Sequence, residues 1–133
     1  MNSLNQSSLV HLYDMDLETI IKGEIKFEDH AASFTNATIH VYLENVSVAD
    51  ASSEVVGYYE RKNVSYPDNK SKILSFEVAG RELNDRESYV IRVHIDIKGA
   101  GSVSRGDFIT MQSYPVATFG HPCLISVLVK QVT

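Results

Sequence analysis

Five histidines are the first candidates for chemistry: His11, His30, His40, His94 and His121. None stands in the i, i+4 pairing or at the carboxylate spacing by which a helix holds zinc. His40 and His94 fall at polar positions of alternating runs, where a solvent-facing imidazole is expected. If those runs are neighbours, His40, His94 and Asp96 meet, and the polar cleft so formed could serve a small-ligand binder or a weak hydrolase. A nucleophile for that chemistry lacks its usual contexts. There is no Gly-x-Ser-x-Gly elbow. Cys123 follows Gly120-His121-Pro122, but a thiol and its base normally come from separate elements. Gly101-Ser102-Val103-Ser104-Arg105-Gly106 opens no helix and offers no phosphate cradle. It reads as a mobile hairpin loop. Glu28-Asp29, and Asp85 with Glu87, lack the calcium-loop pattern. No catalytic, cofactor-binding or metal-ligating residue is assigned, no cofactor is expected, and the chain is read as a non-enzyme.

Recognition chemistry is better represented. Tyr58, Tyr59 and Tyr66 cluster around one run and the loop after it, and Tyr42 falls on the polar face of another. Tyrosines on an outer sheet face can form a binding surface, because each carries a broad apolar ring and a polar tip. The competing use is packing against neighbouring strands. The partner-binding candidates are Tyr58, Tyr59 and Tyr66, joined by Asp50 from the loop between Asn45 and Ser53.

The elements that must position these groups are strands. Apolar Ile39, Val41 and Leu43 alternate with polar His40 and Glu44, the period of a half-buried strand. The same period recurs over 20–27, 55–62, 72–79, 88–98, 107–113 and 124–132. The run 88–98 is the cleanest, with Tyr89, Ile91, Val93, Ile95 and Ile97 on one face. Gly57 interrupts its run as a bulge or a point of close approach. Turn chemistry separates the runs at Ser65–Lys70, Asn84–Glu87 and Gly99–Gly101. About seven short alternating strands predict an all-β fold, an immunoglobulin-like antiparallel β-sandwich, with a barrel as the lesser alternative. Tyr89 opens the longest strand six residues after Leu83, the placement of a tyrosine corner, in which the phenol bonds to upstream backbone.

The bulk properties bound the rest. A chain of 133 residues is expected to form one domain, here 20–133, behind a flexible lead-in at 1–19. It is long enough to fold without a disulfide or metal. Cys123 has no intrachain partner and is expected to be buried at the head of an apolar run. The net charge of −5 argues against nucleic acid or an anionic membrane as partner. No segment approaches a membrane span. The start has no basic region followed by an apolar core, so no signal peptide is read in it, and taken alone the chain would be cytoplasmic.

Short motifs, in order, add a resemblance. Asn45-Val46-Ser47-Val48-Ala49-Asp50-Ala51 resembles the D-V-S-x-A-D-A-P segment of the bacterial lipoprotein family typified by YbaY, which includes the YscW-type pilotin chaperones of type III secretion. Gly23-Glu24-Ile25, Phe76-Glu77-Val78, Tyr89 to Ile95 and Tyr114-Pro115-Val116-Ala117-Thr118-Phe119-Gly120 match further blocks, so the similarity spans about 21–132. Ser52 stands where the family usually has proline, and no lipobox is present. The resemblance implies a small β-sandwich that binds proteins and assists assembly, in the periplasm or at the outer membrane, with a cell-envelope protein such as a secretin as partner. It supplies no catalytic residues. A homodimer joined through an edge strand is the remaining expectation.

Overall fold

The structure is a computed structural model, and it describes residues 18–48, 50–68 and 72–133. The lead-in expected at 1–19 lies almost wholly outside these residues; the first strand begins at Glu18. Eight strands follow in order: β1 (Glu18–Phe27), β2 (Phe34–Asn45), β3 (Glu54–Tyr66), β4 (Ile73–Arg81), β5 (Tyr89–Asp96), β6 (Phe108–Thr110), β7 (Pro115–Val116) and β8 (Leu124–Gln131). The all-β expectation holds. The sheet form differs from two packed layers of about seven strands. All eight strands share one sheet, ordered β3-β2-β5-β6-β8-β1-β4 with β7 paired to β5, and the sheet curls into a nearly closed barrel. Alternation cannot separate these forms, since a sandwich and a barrel both bury every second residue.

Neighbours are antiparallel except for β1 and β8, which run parallel from Lys22↔Leu124 to Phe27↔Val129. The core is the inward set of each strand: Ile21 and Ile25, Ile39, Val41 and Leu43, Leu74, Phe76 and Val78, Ile91, Val93 and Ile95, Val127 and Val129. One barrel end is plugged by aromatic rings. Phe27 lies 3.9 Å from Tyr66 and 5.2 Å, edge-on, from Phe108, and Phe34 joins them at 5.8 Å from Tyr66. These residues come from the end of β1, the start of β2, the end of β3 and the start of β6, which all reach that end together.

Among the described residues, the terminal strands β3 and β4 meet without a ladder between them. Gly57 makes this approach feasible: a Cβ there would sit 2.4 Å from the carbonyl oxygen of Ala79. Gly57 also lies beside a register shift, pairing with Leu43 while Val55 pairs with Glu44. Bulge and close approach therefore coincide at the glycine the sequence marks. Further along, the two strands part around a groove of about 440 Å³ lined by Tyr59, Arg61, Phe76, Gly23 and Leu124 among others.

The tyrosine corner is present. The Asn84 N–H donates to the Tyr89 hydroxyl at 2.8 Å. Cys123 is exposed rather than buried. It has the parity of the buried Val127 and Val129, but burial fades toward the strand's start, and Leu124 beside it is exposed.

Candidate functional site

Three strands, β3, β2 and β5, present one polar and aromatic outer face. Register sets its rows. Tyr58, Tyr42 and Arg92 lie side by side, and Glu60, His40 and His94 form the next row. In the first row, Arg92 stacks on the Tyr42 ring at 4.1 Å. Its guanidinium donates twice to Glu44, from Nε at 3.1 Å and from the terminal nitrogen at 3.0 Å. Tyr58 packs against Tyr42 at 5.2 Å between centroids and remains 48% exposed. Its hydroxyl donates to Glu60 at 3.0 Å and accepts from His40 Nδ1 at 2.5 Å. Burial, then the bond to Glu60, push the Tyr58 phenol up to about 12, so it stays a proton donor. The rings are thus oriented before any partner arrives.

His40 and His94 do meet, stacked at 5.4 Å, but not as two solvent-facing imidazoles. His94 is 2% exposed, because the β5–β6 connection folds against this face. Two carboxylates hold that connection down. Asp96 accepts the N–H groups of Gly99 at 2.8 Å, Ala100 at 3.3 Å and Gly101 at 2.9 Å. Asp107 accepts from Ile97 N–H at 2.9 Å, Ser104 N–H at 3.0 Å and His94 Nε2 at 2.7 Å. The expected mobile hairpin at 101–106 is therefore a tied loop. Burial pushes the Asp107 carboxyl up, but the bonds from His94, Ile97 and Ser104 outweigh it and hold it below 3.8. Burial, and then the neighbouring His94, hold His40 below 6.5. Its Nε2 is buried with no hydrogen-bond partner among the described residues. A lone pair there costs less than a stranded N–H, so the neutral form fits.

Among the described residues, His94, Asp96 and Asp107 bring three ligand-type atoms within 4.8 Å of one another. Their oxygens are already committed to backbone donors, so the group fastens a loop. It does not form a hydrolytic triad either. Ser104 Oγ lies 3.4 Å from the Asp107 carboxylate, whereas a nucleophilic hydroxyl must face the imidazole.

The sequence candidates do not assemble into one surface. Tyr58 stands on the outer face. Tyr59, its neighbour, points the other way, packs against the core and lines the β3–β4 groove. Tyr66 is buried in the aromatic plug. Asp50 is exposed in the β2–β3 loop with φ 62°. Sequence reasoning missed Arg92. The register that sets it over Tyr42 is invisible in one chain, although its place on the polar face of 88–98 was a usable signal.

The loop motif Asn45–Ala51 also has a physical reading. The Asn45 side-chain oxygen accepts from Ser47 N–H at 2.9 Å. Ser47 Oγ accepts from Ser88 N–H at 2.7 Å, and Val46 N–H donates to Ser88 O at 2.9 Å. The motif locks the β2–β3 loop onto the β4–β5 loop.

The overall structure resembles that of a known protein. An alternative pilotin from the type II secretion system of Vibrio cholerae has a similar structure, with a TM-score of 0.70 and 25% identity, covering 87% of this chain and 98% of that one. No curated protein matches significantly. The YscW profile, described as type III secretion system lipoprotein chaperone, matches residues 17–127, and the chain accordingly belongs to the YscW family.

Proposed function

We propose that this protein is a pilotin-like assembly module of the bacterial envelope, and that it holds its partner, a secretin or another envelope protein, on the outer face of β3, β2 and β5. Family membership over residues 17–127 carries the protein-binding, assembly-assisting role. The face is chosen on chemistry. Tyrosine and arginine dominate binding energy at interfaces, and here Tyr58, Tyr42 and Arg92 are oriented in advance, which lowers the entropic cost of binding. Periplasmic or outer-membrane placement belongs to the same proposal. Among the described residues no helix is long and apolar enough to cross a membrane.

The test is calorimetric binding to the isolated C-terminal region of the cognate secretin. Tyr58→Ala and Arg92→Ala should each weaken binding about tenfold or more, as for central anchors, while Tyr59→Ala changes it little. Variants that keep the wild-type fold and affinity would remove the face from the proposal. A second reading, a homodimer, is favoured by the one-sided ladders of β3 and β4. A mass that rises with concentration in sedimentation would support it.

A further inference from the structure

Three exposed apolar side chains lie where the loops at one barrel end converge, opposite the aromatic plug. Val46 is 40% exposed, Val48 69% and Phe119 64%. They sit on the β2–β3 loop and the β7–β8 loop, and both loops are tied to the β4–β5 loop between them. Beside the bonds of Ser47 and Val46 to Ser88, Thr118 Oγ1 donates to Glu87 O at 2.6 Å, and the Asn45 amide donates to the Glu87 carboxylate. The polar groups thus brace the loops from behind and leave the apolar side chains facing outward. Between the β2–β3 and β4–β5 loops lies a hollow of about 320 Å³ lined by Val48, Ala51, Glu54 and Glu87 among others.

Charge at this end is mainly acidic, although Arg81 closes β4 beside Glu82. Residues 45–54 and 82–88 carry the carboxylates of Asp50, Glu54, Glu82, Asp85 and Glu87 against the single guanidinium of Arg86. An acidic rim repels an anionic lipid surface and attracts a cationic partner. We propose that this loop end is a docking surface for a partner protein segment whose apolar side chains are flanked by lysine or arginine. Val46, Val48 and Phe119 receive the apolar groups, and Asp50 and Glu54 receive the cations. The surface is separate from the Tyr58 face, so either assignment can fail while the other stands.

The test is selection from a displayed library of random 12-residue peptides on the full chain, with counter-selection on the Val48→Ser, Phe119→Ser double variant. These exposed substitutions leave the bracing bonds in place. Enriched peptides should combine apolar residues with lysine or arginine. They should bind the double variant at least tenfold more weakly, bind Asp50→Asn, Glu54→Gln more weakly, and weaken with added salt. In amide spectra they should shift residues 45–54, 85–88 and 117–121. No enrichment, enrichment without basic residues, or equal binding to the double variant overturns the proposal. Co-sedimentation with phosphatidylcholine vesicles that depends on Val48 and Phe119 overturns it in favour of a lipid surface.

Discussion

The hydroxyl of Tyr89 ties the β4–β5 connection to the strand that follows it, through the N–H of Asn84. Tyr89→Phe keeps the ring and strands that donor, which should lower stability by about 1–2 kcal/mol in urea denaturation; an unchanged midpoint would show the bond to be dispensable. Asp107 carries more. It is fully buried and satisfies a histidine and two backbone donors. Asp107→Ala strands those three donors at once and should lose about 3–5 kcal/mol. His40 and Asp107 define separate pH windows. The His40 pKa is lower in the folded state, so the unfolded chain binds the proton first. The stabilisation is complete above about 6.5 and is lost as pH falls from there toward the folded value. Asp107 is likewise depressed, and its contribution is lost only below about 3.8. Melting temperature should therefore decline between pH 7 and 5, and His40→Gln should flatten that decline without affecting the loss below pH 4. A decline of equal size in the variant would assign it to other groups.

At the scale of elements, Gly57 and Gly80 look alike in sequence but meet different neighbours. A methyl group at 57 would strike the Ala79 carbonyl, which is backbone, whereas one at 80 would meet the ends of the Leu43 and Leu83 side chains, which can turn aside. Gly57→Ala should cost about 1–3 kcal/mol by forcing β3 off β4, and Gly80→Ala distinctly less; equal losses would mean the seam yields easily. The role of Gly57 was legible because a glycine inside an alternating run has few other uses. The corner at Tyr89 was legible too, since its spacing from Leu83 and the turn residues is local. Sheet form was not: the parallel pairing of β1 with β8 joins residues about a hundred positions apart, and no local pattern encodes it. The same limit governed the site. Alternation placed Tyr42 and Arg92 on polar faces, but the register that sets them in one row with Tyr58 is a property of three strands together. His94 misled because its cover, the 97–107 connection, is held down by Asp96 and Asp107, and alternation along one strand does not show which loop folds over its face.

For the whole molecule, the decisive feature is a barrel closed by packing along one seam and by hydrogen bonds everywhere else. Among the described residues, β2, β5 and β1 are laddered on both sides, whereas β3 and β4 are laddered on one. Opening the seam breaks apolar contacts around Gly57 and Tyr59 but no strand pairing, so it should require far less free energy than global unfolding. Native-state hydrogen exchange should show this as a gradient. Amides of β2 and β5 should exchange only with global unfolding, while the amides of β3 that point toward β4 should exchange at least about tenfold faster, corresponding to about 1.4 kcal/mol less protection. Gly57→Ala should widen the gap by loosening the seam alone. Equal protection of β3 and β2 would mean that the seam is held as firmly as a ladder. The gradient also bears on assembly, because an edge that opens without unfolding the barrel can pair with an added strand. A bound partner at the seam should then raise protection in β3 and β4 and leave β2 and β5 unchanged, whereas a partner confined to the Tyr58 face should leave the gradient as it is.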